Sequence, residues 1–285
     1  MRYIASCSCG KDSLAMVYKI IEQQLPLDEI VFYDTGMEFQ SIYYNWEQLT
    51  KYAQERGIKC TTLRPKCPFL YTMFEQPHKS RKDGIIRYGY AWCGGRCRWG
   101  TSEKLIAIDK YCEQEDTICY VGIAADETLR LQKERKEYKR FPLADWNMSE
   151  ADCLQYCQSH NIKWIEKCRD GHIDLYSILD RVSCWCCANK NQWELYNYWK
   201  YLPEYWDKLK ELQSKISRPF NRYTIFELEE RFEKGYIPVH RIKKNKEIHN
   251  EIISPKHYKR WQVVNRLSGV WLYKGGSYKL PCERG

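Results

Sequence analysis

The amino-acid sequence predicts an α/β protein with a parallel sheet, because two patterns alternate along the chain. Short apolar runs typical of buried strands lie at residues 2–5, 30–33, 58–63 and 117–122. Segments with helical spacing or composition lie after them, at residues 12–24, 40–56 and 102–113, with a further helix start at 149–152 and a helical aromatic stretch at 189–212. Right-handed crossovers join strands that alternate with helices, so the four strands should run parallel in one sheet.

Length and charge divide the chain into two parts. Its 285 residues suffice for one large domain or for a domain with an extension. The net charge of +9 comes from the C-terminal part: residues 1–199 contain 27 basic and 27 acidic side chains, whereas residues 200–285 contain 19 and 10. We therefore predict a sheet domain at residues 1–190 and a helical, aromatic-rich, basic extension at residues 191–285.

Composition excludes several classes of protein. Hydrophobic residues make up 44% of the chain, which argues against disorder. No apolar run approaches the roughly 18 residues that a membrane span needs, and no collagen or coiled-coil repeat is present. The first residues contain no apolar stretch long enough for a signal peptide. We therefore expect no membrane partner, a cytoplasmic location, and 15 cysteines that stay mostly reduced.

The segment from Ser6 to Ser13 has the character of a phosphate-binding loop. It reads Ser-Cys-Ser-Cys-Gly-Lys-Asp-Ser and lies where the first strand meets the first helix. Small residues there let backbone N–H groups approach an anion at the positive end of the helix, although the spacing is not that of the Walker motif. Lys11 would place a positive charge on phosphate oxygens, and Asp12 would hold Mg²⁺. The alternative is a plain strand-to-helix turn. The candidate loop contacts are Ser8, Cys9, Gly10, Lys11, Asp12 and Ser13.

Four motifs, in order, resemble the phosphoadenosine phosphosulfate (PAPS) reductase and N-type ATP pyrophosphatase superfamily. Residues 8–13 are similar to its Ser-Gly-Gly-Lys-Asp-Ser signature, with Cys9 in place of the first glycine. Residues 34–39, Asp-Thr-Gly-Met-Glu-Phe, follow the second strand as its Asp-Thr-Gly-x-Glu-Phe does. The other two matches are residues 122–130, which look like its Gly-x-Arg-x-x-Glu-Ser segment, and 141–146, which look like its Pro-Leu-x-Asp-Trp segment. The resemblance covers residues 2 to about 190.

This resemblance implies a Rossmann-like, adenine nucleotide alpha hydrolase-like domain that binds ATP or PAPS. It implies cleavage of an adenine nucleotide at the α-phosphate with release of pyrophosphate, and a catalytic role for Lys11 and Asp12. Further nucleotide contacts would come from the ends of neighbouring strands, at Asp34, Thr35, Gly122, Glu127 and Arg130. Two departures matter: Ala124 stands where the superfamily has an arginine, which removes a phosphate-binding cation, and Cys9 adds a thiol beside the phosphates.

Two cysteine clusters have spacings typical of metal ligands. Cys93 and Cys97 form one, and Cys184 and Cys187, with Cys186 between them, form the other. Relatives bind an iron-sulfur cluster (4Fe-4S) or zinc at similar segments, and four thiolates suit either. We predict one metal centre ligated by Cys93, Cys97, Cys184 and Cys187. Two unrelated buried cysteine pairs, or a redox dithiol of Cys184 and Cys187, are the alternatives.

The basic extension mixes cations with aromatic residues. Residues 200–285 contain 13 Phe, Trp and Tyr, and residues 257–261 read His-Tyr-Lys-Arg-Trp. Cations that neutralise phosphates and rings that stack on bases suit nucleic acid, RNA or DNA. A solvated basic face over an ordinary aromatic core is the alternative.

Three function classes follow. The first is adenylylation of an acceptor, coupled to cysteine- or cluster-dependent sulfur transfer. The second is reduction of adenylylated sulfate, although the superfamily's C-terminal Glu-Cys-Gly-x-His segment is missing: residues 282–285 read Cys-Glu-Arg-Gly. The third is a non-catalytic nucleotide sensor or nucleic-acid-binding component, which the loss of an arginine at Ala124 favours. Because the cysteines surround the phosphate loop, we rank the first class highest.

Overall fold

A computed structural model describes residues 1–113, 116–132 and 136–240, together with a two-residue strand at Ile252–Ile253. Its strands are β1 (Arg2–Ser6), β2 (Glu29–Tyr33), β3 (Lys59–Leu63), β4 (Pro77–Lys79), β5 (Ile86–Tyr88), β6 (Thr117–Val121), β7 (Lys139–Arg140), β8 (Ile165–Cys168), β9 (Gly171–Asp174) and β10 (Ile252–Ile253). Its α-helices are α1 (Lys11–Glu22), α2 (Gln40–Gln54), α3 (Phe69–Phe74), α4 (Lys104–Cys112), α5 (Thr128–Leu131), α6 (Pro142–Asp145), α7 (Glu150–Ser159), α8 (Gln192–Tyr201), α9 (Pro203–Ser214) and α10 (Ile225–Glu233).

The main sheet has five parallel strands in the order β3-β2-β1-β6-β7, so the predicted α/β class and parallel sheet are confirmed. Every residue of β2 is buried, as expected for a central strand covered on both faces. Helix α1 packs against α7, and α4 packs against β2 and β6. The result is a Rossmann-like layered arrangement.

The strand order places a topological switch point next to β1. From β1 the chain proceeds outward to β2 and β3, and it later returns to pair β6 with the other side of β1. In open parallel sheets, ligands bind at the carboxyl ends of the strands where the order reverses. The carboxyl ends of β1 and β6 therefore mark the expected binding crevice.

The predicted elements agree with the structure to within a few residues. The helix start predicted at 149–152 is confirmed, because Ser149 caps α7 and Asp152, at the third helical position, completes a capping box with it. Two differences are informative. The helix predicted at 102–113 is preceded by one π-helical turn, Arg98–Glu103, so helical backbone begins earlier than expected. The aromatic stretch predicted as one helix is two, because α8 ends before Leu202 and Pro203 starts α9.

Helices α8, α9 and α10 share the hydrophobic core of the sheet layer. Phe39, which precedes α2, packs edge-on against the rings of Tyr198 and Tyr205. The indole of Trp92 contacts Phe220 and donates a hydrogen bond to Gln213 Oε1 at 3.2 Å. The predicted boundary at residue 190 therefore lies within a continuous apolar core, and the basic segments at residues 241–246 and 257–261 lie outside the described residues.

Two smaller sheets were not predicted. Strands β4 and β5 form an antiparallel hairpin, and β8, β9 and β10 form an antiparallel sheet. Their two to four residues are too short for the alternation of apolar and polar side chains to be recognised in a sequence. None of the helices in the described ranges has the length and apolar character needed to cross a membrane.

Candidate nucleotide site and cysteine loops

The loop between β1 and α1 contains a strained residue, Cys9, next to the start of the helix. Cys9 has a φ of +57°, a left-handed conformation that favours glycine, and Gly10 then caps α1 in an extended conformation. The indole N–H of Trp164 donates to Cys9 O at 2.8 Å. The Ser13 hydroxyl accepts the Ser8 N–H and donates to Gly10 O, each at 3.1 Å, which closes the turn from inside. The loop is thus fixed before any ligand arrives.

Lys11 is the central cation of the site. Its side chain is 2% exposed, and its ammonium group lies 2.6 Å from Asp12 Oδ1 and 3.0 Å from Glu150 Oε2. Burial works against the charged form, but the two carboxylates outweigh it and raise the pKa of Lys11. The amine therefore stays protonated at neutral pH and is held at the N-terminus of α1.

The same cluster also places two acidic side chains near Asp12. Burial raises the pKa of Asp12; Lys11 opposes the shift, whereas Glu150 and Glu127 add to it. A carboxylate with acidic neighbours at the start of α1 is suited to a divalent cation, because Mg²⁺ takes one or two carboxylates and completes its shell with water or phosphate oxygens.

Tyr176 occupies part of the N-terminal end of α1. The backbone N–H of Lys11 donates to the Tyr176 hydroxyl at 3.1 Å, and the Tyr176 ring packs edge-on against Trp164. One of the free amides at the start of α1 is therefore satisfied within the chain. The antiparallel sheet positions both aromatics, because Trp164 precedes β8 and Tyr176 follows β9.

Gly122 lets β6 approach the start of α1 closely. A Cβ atom on Gly122 would lie 3.0 Å from Ser13 Cα and 3.1 Å from Ser13 N, closer than most Cβ atoms come to a neighbouring backbone. Beyond it, the Glu127 carboxylate accepts the Ala124 N–H at 3.2 Å and forms an ion pair with Arg130. Ala124 is buried, so no cation points into the site from that position.

Asp34 and Thr35 lie at the carboxyl end of β2 with established partners. Asp34 accepts the Tyr43 hydroxyl at 2.8 Å and pairs with Arg64 at 3.1 Å. The Thr35 hydroxyl donates to Glu38 Oε1 at 2.9 Å and lies 4.0 Å from Cys184 Sγ. Thr35 thus links this strand end to the second cysteine cluster.

The two cysteine clusters, far apart in sequence, lie in adjacent loops. Gly95 N–H donates to Asn189 Oδ1 at 2.6 Å, and Asn189 Nδ2 donates to Gly95 O at 2.7 Å. A Cβ atom on Gly100, in the π-helical turn, would lie 3.2 Å from Cys184 Sγ and 3.9 Å from Cys97 Sγ, so both sulfurs border the same small space. Trp185 N–H donates to Met37 O at 2.9 Å, which attaches the second loop to the end of β2.

The donor set of these loops fits a thiophilic metal. Cys93, Cys97 and Cys187 are partly exposed, and burial raises the pKa of the Cys184 thiol, which favours its neutral form unless a cation is bound. Within the described ranges, no three His, Cys, Asp or Glu side chains are gathered closely enough to hold a metal ion. The metal centre predicted at Cys93, Cys97, Cys184 and Cys187 therefore stays a prediction, supported by the joining of the loops.

Four residues that shape the site were not predicted from the sequence: Glu150, Trp164, Tyr176 and Asn189. Glu150 was part of a recognised helix start, but nothing in the sequence shows that α7 packs beside α1. Trp164 and Tyr176 belong to a sheet whose strands are too short to recognise. Asn189 follows Cys187 by two positions. Its polar side chain beside the second cysteine cluster is the only sequence signal that could have indicated its role.

Comparisons with known proteins give two similarities. An uncharacterized protein of Methanocaldococcus jannaschii is 25% identical over 229 residues, which cover 75% of this chain and 42% of that protein. The chain thus spans less than half the length of this relative. The solved structure of U34-tRNA thiolase NcsA from Methanococcus maripaludis, with its 4Fe-4S cluster, matches with a TM-score of 0.38 and 14% identity, covering 82% of this chain and 71% of that chain. No family model matches the chain.

Proposed function

We propose that the chain binds ATP at the loop between β1 and α1 and cleaves it between the α- and β-phosphates, with pyrophosphate leaving, to activate an acceptor by adenylylation. The observation that carries the proposal is the buried Lys11 ammonium group at the N-terminus of α1, at the switch point between β1 and β6. A buried, protonated amine at a positive helix end is suited to a polyanion.

The contacts of Lys11 favour an exchange of partners when ATP binds. Its carboxylate partners are the adjacent Asp12 and Glu150 of α7, whose side chain is about one third exposed. Triphosphate oxygens carry more negative charge than either carboxylate and can take over the ammonium hydrogen bonds. Mg²⁺ held by Asp12 would neutralise further phosphate charge as the ligand enters.

The reaction then needs position and charge rather than a protein nucleophile. An acceptor oxygen attacks the α-phosphorus, the bond to the bridging oxygen of the β-phosphate breaks, and pyrophosphate takes up the electron pair. Lys11 and the remaining amides at the start of α1 stabilise the charge that develops on the leaving group. Gly122 keeps the end of β6 close to the start of α1, so the crevice at the carboxyl ends of these strands is narrow.

The cysteine loops favour sulfur transfer as the second half of the reaction. Cys184 Sγ lies 4.0 Å from the Thr35 hydroxyl at the end of β2, next to the strand that begins the phosphate loop. In this step, hydrosulfide delivered by a separate donor and held at the cysteine loops displaces AMP from the activated acceptor: a bond from sulfur to the acceptor forms, the bond between the acceptor and the AMP oxygen breaks, and AMP leaves with the electron pair. Iron-sulfur or zinc bound by Cys93, Cys97, Cys184 and Cys187 would supply a Lewis-acid centre for such sulfur.

Calorimetric titration with Mg-ATP and with PAPS tests the binding half. We expect the wild-type protein to bind ATP and Lys11→Met to abolish this binding. In Asp12→Asn, ATP binding should no longer depend on Mg²⁺. Lys51→Ala is the matched control, because Lys51 is an exposed lysine near the far end of α2. Preference for PAPS over ATP would support the sulfonucleotide reductase instead, and unchanged ATP binding by Lys11→Met would contradict the proposed site.

A further inference from the structure

A basic surface lies outside the nucleotide site, on the β4–β5 hairpin and the loop that follows it. We call residues 77–98 the hairpin surface. It contains six lysines and arginines but one acidic residue, Asp83. All residues from 81 to 88 are exposed, as are Lys79, Arg96 and Arg98. This concentration of positive charge falls in the part of the chain whose overall charge is balanced.

Within the described part of the chain, most of these cations have no carboxylate partner. Arg87 pairs with Asp83 and Arg98 pairs with Glu103. For the other four, no ion pair forms anywhere in the residues that the structure describes; they are Lys79, Arg81, Lys82 and Arg96. Unpaired surface cations in one region create a positive field that attracts a polyanion.

One face of the hairpin also exposes apolar and aromatic side chains. Cross-strand pairing places Pro77 opposite Tyr88 and Lys79 opposite Ile86, so these four side chains share a face. Ile86 is 62% exposed and Tyr88 is 68% exposed. A water-exposed tyrosine ring between cations matches the combination that binds bases by stacking and phosphates by charge.

The base of the hairpin is fixed, so the surface is presented in a defined position. Gly89 follows β5 with a φ of +67°, and a Cβ atom there would lie 2.4 Å from Met73 O, which leaves room only for glycine. Three residues later, Trp92 is buried against Phe74 and Phe220. The rings of His78 and Tyr90 stack at 4.2 Å across the hairpin base.

We propose that the hairpin surface binds single-stranded nucleic acid and delivers it as the acceptor to the nucleotide site, an inference that rests on the proposed function. Unpaired bases are required because the flat ring of Tyr88 can stack only on a base that has left a duplex. The hairpin also lies close to the predicted metal ligands: Cys93 follows Tyr88 by five positions, a chain reach of at most roughly 18 Å.

Fluorescence anisotropy with a labelled single-stranded oligouridine, in the absence of ATP, tests this surface on the full chain. Because each phosphate contact on a single strand contributes about 0.7 to the salt slope, Arg81→Ala/Lys82→Ala should lower that slope by about 1.4. Tyr88→Ala should weaken binding about tenfold without changing the slope, because stacking is insensitive to salt, and Tyr88→Trp should restore it.

The control double variant, Lys51→Ala/Arg56→Ala, removes two positive charges near the end of α2, which lies away from the carboxyl ends of the strands. It should bind like the wild type. The proposal is overturned if the hairpin variants bind like this control, or if a duplex binds equally well and Tyr88→Ala has no effect. ATP binding by the same variants, measured without nucleic acid, should be unchanged. If the wild type does not bind ATP, the result would count against the proposed function rather than against nucleic-acid binding by the hairpin surface.

Discussion

Asn189 and the backbone of Gly95 form two reciprocal hydrogen bonds, at 2.6 and 2.7 Å, between loops that are 94 residues apart in the chain. Each loop carries a predicted pair of metal ligands: Cys93 and Cys97 on one side, and Cys184 and Cys187 on the other. A side-chain amide is well suited to this role, because it both donates to and accepts from a backbone. The contact makes the two loops one structural unit.

Replacing Asn189 by alanine should therefore separate the loops and reduce metal binding. Two lost hydrogen bonds correspond to about 1–3 kcal/mol of stability. We expect lower iron or zinc content after anaerobic purification, together with a lower melting temperature. Gln158→Ala, an exposed amide on α7, is the control and should change neither. Full metal content in Asn189→Ala would show that this contact does not organise the ligands.

The cysteines themselves should act jointly. Serine replacements at Cys93 and at Cys187 should each lower metal content and stability together, because thiolate ligation contributes to folding free energy. Elemental analysis and thermal melts measure the two effects, and absorbance near about 400 nm on anaerobic purification would indicate iron-sulfur rather than zinc, which has no visible d-d chemistry. Wild-type protein that carries neither iron nor zinc would refute the metal centre.

Gly122→Ala should weaken ATP binding at the proposed nucleotide site. The added methyl group would meet Ser13 Cα and N at 3.0 and 3.1 Å, so β6 and α1 must move apart. We expect weaker ATP binding, measured by calorimetry, and a loss of about 1–3 kcal/mol in stability. Gly94→Ala is the matched control, since its Cβ would meet only Asn189 Oδ1 at 3.8 Å. Equal ATP affinity in both variants would contradict the claim that close contact between β6 and α1 shapes the nucleotide site.

Substitutions at Cys9 test whether the loop between β1 and α1 is strained. The Cys9 φ of +57° suits glycine, the residue at the similar position of the superfamily signature, so Cys9→Gly should fold and retain ATP binding. Cys9→Val should lose both, because a β-branched residue strongly disfavours this conformation. Circular dichroism measures whether each variant folds, and titration with ATP measures whether it binds the nucleotide. A Cys9→Gly variant that folds but no longer binds ATP would instead show that the thiol itself contacts the nucleotide.

Stability should fall with rising pH because of one buried carboxyl group. Burial raises the pKa of Glu166 from 4.5 to about 7, although hydrogen bonds from Ser41 N–H and the Tyr205 hydroxyl favour the charged form. With the folded pKa raised, its contribution is fully present below pH 4.5 and is lost as the pH rises through about 7. Glu166→Gln should flatten this dependence in urea unfolding between those values. An unchanged pH profile would contradict the assignment to Glu166.

The sequence predicts the main sheet and the phosphate loop for the same reason: both depend on local patterns. A buried strand followed by small residues and an amphipathic helix is visible within about 25 residues, and β1 with α1 follows this pattern. The ion pair of Lys11 with Glu150 joins residues 139 apart, and no local pattern reports it. The same is true of Tyr176, whose hydroxyl reaches the Lys11 amide across 165 residues. The contacts that hold Lys11 in place therefore depend on packing that only the folded chain reveals.

The central claim is cleavage at the α-phosphate, and product analysis with ATP labelled at that phosphate tests it most directly. The wild-type protein, with Mg²⁺ and a single-stranded RNA acceptor, should transfer the label to AMP or to an AMP-linked product and release an equal amount of pyrophosphate. Lys11→Met should form neither product. Labelled ADP with inorganic phosphate, or an AMP yield that is the same in Lys11→Met as in the wild type, would contradict the account.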